Sequence, residues 1–295
     1  EGFLKSLIES PLYLHQEEAI RKVFNDQNIV VATGTGSGKT EAFLYPILLH
    51  LYKEYKEGTL GPGVRALILY PMNALANDQR ERLRNLCKSL KDECSEFHFT
   101  FGQYIGETPE NENDSRRHAR DQQSEREQKD FCISKNGEIV HGELLFRYEM
   151  RENPPNILLT NYSMLEYLLL RPDDSPLFDN DRARWWTYIV LDEAHQYRGS
   201  RGTEMAMLLR RLKRRLREGG RLRSFCCIAT SATLVGEEKD RASVAKFASE
   251  LFDETFEKDD IILGNIKPIL EFGDIKFSPE DYQNLSTILE SDTLD

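Results

Sequence analysis

Short apolar runs alternate with segments of helical spacing along most of the chain. Ile29-Val-Val-Ala32 has the length of a buried strand. Ala42, Phe43, Leu44, Ile47, Leu48 and Leu51 then recur at the spacing of one helix face. Val64–Tyr70 predicts a second strand, followed by an amphipathic helix to about Leu90, and His98–Tyr104 a third strand. Asn156–Thr160 predicts a fourth, with a helix over 161–170 that Pro172 ends. Trp185–Asp192 is a fifth, and a helix over about 203–217 carries Met205, Met207, Leu208, Leu209, Leu212 and Leu216 on one face with arginines on the other. Ser224–Ala229 is a sixth. Helices are also predicted over the segment from Tyr13 to Phe24, over Ala242–Phe252 and over 279–290, and a short strand over Ile261–Leu263.

Repeated strand–helix alternation predicts an α/β domain with a mostly parallel sheet flanked by helices, its binding residues clustered where strands end. A polar insertion near 107–152 interrupts the pattern. Residues 107–136 are dominated by Glu, Asn, Asp, Arg, Gln and Ser, which predicts a solvated block. A strand or short helix is expected to return between Ile139 and Arg151.

The chain's 295 residues allow one large or two ordinary domains, and 39% hydrophobic with 30% charged residues describes a globular protein. No apolar run approaches the roughly 20 residues of a membrane span, and the first residues lack a secretory pattern, so a cytoplasmic protein without membrane contact is expected. The five cysteines form no C-x-x-C pair, which argues against structural zinc. The net charge of −11 argues against a generic nucleic-acid coat protein. A local basic stretch opposes that balance: Arg201, Arg210, Arg211, Lys213, Arg214, Arg215, Arg217 and Arg221. A solvated helix face is the favoured reading of its later part, from Arg210 to Arg223.

Two motifs carry chemistry. Thr33-Gly-Thr-Gly-Ser-Gly-Lys-Thr40 joins the first strand to the first long helix, the setting a phosphate-binding loop requires. Gly34, Gly36 and Gly38 permit close backbone approach to a phosphate, and the N–H groups of Thr33, Thr35 and Ser37 lie in the same cradle beside a helix N-terminus. Lys39 is expected to reach the β- and γ-phosphates of ATP, and Thr40 to place its hydroxyl on Mg²⁺. Thr33 stands where the usual pattern has its first glycine. Asp192-Glu193 ends the fifth strand, which in a parallel sheet brings it beside that loop. Asp192 is expected to hold Mg²⁺ and Glu193 to take the proton of an attacking water. His195 is placed to link this pair to Thr230, Ser231 and Thr233 at the end of the sixth strand.

Ala-Thr-Gly-Thr-Gly-Ser-Gly-Lys-Thr40, Asp192-Glu-Ala-His195 and Ser231-Ala-Thr233, in this order, resemble motifs I, II and III of superfamily 2 helicases with a DEAH box. A threonine at position 33 is ordinary in that family. Gln16 matches the Q motif, whose amide faces adenine. Tyr70–Gln79 resembles motif Ia and Thr160–Leu165 motif Ib, which implies nucleic-acid backbone contacts at Pro71, Asn73, Ala74, Thr160 and Asn161, joined by Arg201. Arg198-Gly-Ser-Arg-Gly202 resembles the subgroup of MrfA-type DNA-repair helicases, Lhr-type helicases and the helicases of the phage-defence systems DISARM, Druantia and Dpd.

The resemblance implies a RecA-like P-loop NTPase fold over residues 1–265, the first of two such domains, with 266–295 a linker or the start of an inserted segment. The second domain and its arginine finger are not recognisable in this chain, so it is expected to bind nucleotide weakly and hydrolyse it poorly alone. The implied partners are nucleic acid, DNA rather than RNA, the protein's own second RecA-like domain, and other subunits of a defence or repair complex. The implied activity is ATP-driven helicase or translocase action. The alternative is a nucleic-acid-stimulated ATPase that acts as a remodeller or switch without unwinding.

Overall fold

The computed structural model describes residues 12–34, 36–93, 96–114, 142–232 and 240–264. Among them, eight strands form one sheet in the order β4-β3-β5-β2-β6-β7-β1-β8, every neighbouring pair parallel. The strands are β1 (Ile29–Ala32), β2 (Ala66–Tyr70), β3 (Phe101–Gln103), β4 (Glu143–Leu144), β5 (Ile157–Asn161), β6 (Tyr188–Leu191), β7 (Cys226–Ser231) and β8 (Ile261–Leu263). The helices are α1 (Leu14–Phe24), α2 (Lys39–Lys56), α3 (Asn73–Glu93), α4 (Arg147–Glu152), α5 (Tyr162–Leu170), α6 (Ser200–Glu218) and α7 (Arg241–Phe252).

Parallel strands covered on both faces read as unbroken apolar runs, because alternate side chains enter two different cores. Ile29 and Val31 of β1 join a core with Ala19 of α1, Phe43 and Ile47 of α2 and Leu83 of α3. Val30 joins the opposite core, with Leu165 of α5, Leu209 of α6 and Phe252 of α7.

Register positions the site. Ala32 pairs with Ser231, and Leu191 with Ala229, so β1, β7 and β6 end side by side. The glycine loop after β1 and the acidic pair after β6 therefore flank the end of β7. On the other side, Tyr70 pairs with Asn161. The segments after β2, β5 and β3 thus share the same edge.

The stretch expected to be solvated, 107–136, is not solvated at its start. Thr108 is buried, and its hydroxyl donates to Gln103 O at 2.8 Å. The expected return is both strand and helix. Glu143 of β4 is buried because Arg84 of α3 donates to it at 2.5 Å, and Met150 of α4 is fully buried against Gly102. Residues 115–141 lie outside the described residues, as does the helix expected over 279–290. Pro172 ends α5, but a 3-10 turn over Pro172–Leu177 continues and buries Leu177.

Three expectations for the α6 region are corrected. Met207 is 56% exposed, off the buried stripe. Lys213 is 1% exposed and donates to Phe252 O (2.5 Å) and Glu254 (2.7 Å). Arg221 is buried and caps the carbonyls of Arg184 and Ser224 at 2.8 Å each. Long cationic side chains here satisfy backbone acceptors instead of facing water.

Candidate functional site

The glycine loop is held from within and from α1. Thr33 N–H donates to Ser231 O at 3.1 Å, tying the loop to the end of β7. The Thr33 hydroxyl lies 2.5 Å from Ser37 Oγ, which donates to Gly34 O at 2.8 Å. A hydroxyl at position 33 thus contributes a stitch that glycine could not. His15 Nε2 sits 2.9 Å from Ser37 O, and Gln16 Nε2 donates to Gly38 O at 3.0 Å. Burial holds the His15 imidazole below its ordinary value. The other end of the Gln16 amide accepts from Tyr13 N at 2.9 Å, so both ends of this amide are engaged within the chain.

Gly38 caps α2 with φ +76°, a left-handed conformation, and a Cβ there would collide with Gln16 Nε2. Among the described residues, no acceptor takes the N–H groups of Gly36, Ser37 or Gly38. Those donors, the N-terminus of α2 and the Lys39 ammonium form a cradle suited to an anion. Thr35 lies outside the described residues.

Lys39 Nζ is 3.4 Å from Glu193 Oε1, with both side chains largely buried. The Thr40 hydroxyl accepts from Gln79 Nε2 of α3 at 3.4 Å.

Asp192 follows β6 and continues its ladder, donating to Leu69 O at 3.0 Å. The residue is 8% exposed, and its carboxyl accepts a short hydrogen bond from the Thr230 hydroxyl. Burial raises its pKa from the ordinary aspartate value, with the Thr230 bond opposing the shift and the Glu193 charge adding to it. Two buried phenols, Tyr70 and Tyr197, are raised by burial and then by the Asp192 charge, and neither hydroxyl has an acceptor among the described residues.

Glu193 is in the left-handed region, φ +51°. For a non-glycine residue that conformation costs about 1–2 kcal/mol. Here Thr230 Oγ1 accepts the Glu193 N–H at 3.3 Å, and Gln196 N–H donates to Glu193 O at 3.0 Å. The strained turn aims the carboxylate at Lys39, and strain of this kind concentrates at functional sites. His195 Nδ1 lies 3.3 Å from Ser231 Oγ and 3.1 Å from Glu193 Oε2. Thr230 engages Asp192 and Glu193, and no bond joins it to His195. Thr233 lies outside the described residues. Among the described residues no cluster of three metal-ligating side chains occurs. A cation held by one carboxylate, one hydroxyl and ligand phosphates needs none.

The second group of expected residues lies along a groove of about 360 Å³ lined by Pro71, Met72, Asn73, Asn161, Tyr162 and Arg201, among others. Asn161 caps α5 by accepting Met164 N–H at 2.8 Å, and its Nδ2 donates to Asn73 Oδ1 at 2.7 Å. Ala74 is exposed on the first turn of α3, and Arg201 is exposed on α6. Thr160 does not reach the groove. It is fully buried, and its hydroxyl donates to Tyr104 O at 2.5 Å. Alternation along β5 turns Thr160 inward when Asn161 turns out.

Sequence reading missed His15, the Thr230–Asp192 bond and Glu107, which accepts from Asn73. The polar residues Thr230 and Ser231 inside a buried strand were the available signal for the second. His15 and Glu107 carried none.

The DEAD/DEAH box helicase family model matches residues 13–139 and 121–242. The Druantia protein DruE of Escherichia coli (strain UMEA 4076-1) is 35% identical over 299 residues, covering 75% of this chain and 16% of that protein. The uncharacterized ATP-dependent helicase YprA of Bacillus subtilis (strain 168) is 30% identical over 230 residues, covering 77% of this chain and 24% of that protein. The crystal structure of DUF1998 helicase MrfA bound to DNA and AMPPNP superposes with a TM-score of 0.57 at 26% identity, over 86% of this chain and 27% of that one. The chain therefore spans a quarter or less of the length of these two curated relatives. No helix among the described residues is long and apolar enough to cross a membrane.

Proposed function

This chain belongs to the DEAD/DEAH box helicase family, and from that premise we propose that it is the ATP-binding, first RecA-like domain of a helicase or translocase motor acting on DNA. The observation that carries the proposal is the meeting of Lys39, Glu193 and Asp192 above a loop in which the N–H groups of Gly36, Ser37 and Gly38 have no acceptor among the described residues.

The residues present fit Mg-ATP. Mg-ATP supplies, when bound, the phosphoanhydride bond and the cation that neutralises its phosphates. Gly34, Gly36, Ser37 and Gly38 offer backbone donors, and the Lys39 ammonium exchanges Glu193 for a phosphate oxygen. Thr40 and Asp192 provide an uncharged and a charged oxygen for the cation. Released from Lys39, the Glu193 carboxylate is free to orient a water and accept its proton. His15 and Gln16 fix the loop from α1. His195 Nδ1 lies beside both Glu193 Oε2 and Ser231 Oγ, so a shift in the segment after β7 reaches the base.

The groove at Asn73, Asn161 and Arg201 suits a sugar–phosphate backbone, because it lies at helix N-termini and carries the exposed Arg201 guanidinium. DNA is preferred over RNA on the likeness to MrfA, which is bound to DNA in its structure. We place the protein in the cytoplasm, in phage defence or DNA repair, acting with a second RecA-like domain that supplies an arginine finger.

The test is ATP hydrolysis by the full-length protein with and without oligo(dT), beside strand separation of a forked DNA duplex. Stimulated turnover and unwinding, both lost in Lys39→Ala and Glu193→Gln, are expected. Stimulation without unwinding makes the protein a remodeller or switch. Undiminished turnover in Glu193→Gln removes the proposed base.

A further inference from the structure

One donor in the groove is already taken by an anion. Asn73 Nδ2 lies 3.0 Å from both carboxylate oxygens of Glu107. The bond is the end of a chain: Asn161 donates to Asn73, and Asn73 donates to Glu107. Asn161 ends β5, and Asn73 and Glu107 follow its two neighbours in the sheet, β2 and β3. Glu107 therefore stands on the same carboxyl edge as the groove, with its charge against the amide nearest the start of α3.

The turn that carries Glu107 is fixed from both sides. Thr108 Oγ1 accepts from Ile105 N–H at 2.9 Å and donates to Gln103 O at 2.8 Å. The Arg147 guanidinium donates to Ile105 O at 3.0 Å and Gly106 O at 2.9 Å. The backbone is thus anchored while the Glu107 side chain is exposed. The Asn73 amide nitrogen carries two N–H donors, but a phosphate oxygen on the second would stand close to the Glu107 carboxylate, two like charges about one amide.

Resting on the reading of this groove as a nucleic-acid site, we infer that Glu107 is a built-in competitor of the nucleic-acid backbone. It holds the Asn73 amide in the unbound protein, and its departure frees that amide for a phosphate. Its charge sets the threshold of binding: it lowers affinity for any polyanion and makes binding depend on the contacts that displace it. In a chain of net charge −11, such a residue disfavours weak, non-productive capture of nucleic acid.

The test uses the full-length protein and fluorescein-labelled oligo(dT), with anisotropy read across a salt series for wild type, Glu107→Gln, Glu107→Asp and Arg201→Ala. Glutamine keeps the length and an acceptor for Asn73 but removes the charge. Relief of one like charge near contact corresponds to about a five-fold gain in affinity, and that gain shrinks as salt rises. Glu107→Asp, which keeps the charge, stays well below Glu107→Gln. Unchanged or weakened binding by Glu107→Gln overturns the inference; weakening identifies Glu107 as a support for Asn73. If Arg201→Ala weakens binding in that case, the groove reading survives alone. If Arg201→Ala is silent as well, both fall.

Discussion

Lys39 and Glu193, 154 residues apart in the chain, meet with Nζ 3.4 Å from Oε1. Side-chain exposures of 10% and 20% put the pair between the surface and interior regimes. Each is the other's charge partner in the unbound protein, and each is needed elsewhere once nucleotide arrives.

The pair predicts opposite effects on binding and turnover. Lys39→Met should abolish nucleotide binding. Glu193→Gln should bind nucleotide several-fold more tightly, because Lys39 no longer exchanges a carboxylate for a phosphate, while losing about 10²–10⁴ in turnover. A double-mutant cycle in thermal denaturation should give a coupling of about 1 kcal/mol. Equal nucleotide affinity in Glu193→Gln and wild type, with zero coupling, contradicts the pairing.

Asp192 predicts a trade between stability and activity. Burial raises its pKa, so the ligand-free fold prefers this carboxyl neutral. That preference favours the folded state fully below the ordinary carboxylate range and is lost as pH rises through the raised value. Asp192→Asn should therefore match wild type in acid and be more stable at neutral pH. A gain of about 1 kcal/mol is a rise of about 2–4 °C in midpoint for a domain of this size. Turnover should be lost, because an amide binds the cation poorly. A midpoint difference independent of pH rejects this account.

The parts of the site legible in the sequence were those written in consecutive residues. The loop from Thr33 to Thr40 carries its own glycines and lysine, and Asp192-Glu193 follows an apolar run, so each announces both its chemistry and its place at a strand end. What depended on a distant acceptor was not legible. Lys213 and Arg221 look solvated until the carbonyls of Phe252 and Arg184 are placed beside them. Thr160 and Asn161 are equally polar neighbours at the end of β5. An apolar run covered on both faces hides which of two successive residues turns inward. Glu107 sat in a polar stretch whose composition concealed a pinned turn.

Gly38 is the loop position where a methyl group is least tolerable. Its φ of +76° already disfavours any side chain, and the added Cβ would displace Gln16 from Gly38 O. Gly38→Ala should cost about 1–2 kcal/mol from the backbone alone and weaken nucleotide binding at least ten-fold as the clamp from α1 opens. Gln16→Ala should weaken binding in the same direction but less, since it removes the clamp without straining the loop. Calorimetric titration of nucleotide into both variants checks the order. A Gln16→Ala defect larger than that of Gly38→Ala would instead give the Gln16 amide a direct role toward the base.

Thr160 and Asn161 separate structural from binding roles within two consecutive residues. Thr160 is fully buried and its hydroxyl serves Tyr104 O, so Thr160→Val leaves a buried carbonyl without that donor. The expected loss is about 1–3 kcal/mol of stability, with oligo(dT) affinity unchanged in the protein that remains folded. Asn161 holds the first turn of α5 through Met164 N–H and orients Asn73 across the groove. Asn161→Ala gives up the cap, about 1 kcal/mol, and also frees the Asn73 amide to rotate, so oligo(dT) affinity should fall several-fold at low salt. Asn161→Asp keeps the cap but presents a carboxylate to Asn73 and to the groove. It should recover stability relative to alanine while binding worse than alanine does. Stability and affinity falling together in all three variants would mean that the binding loss is only unfolding. Recovery of stability without affinity in Asn161→Asp places the amide itself on the nucleic-acid path.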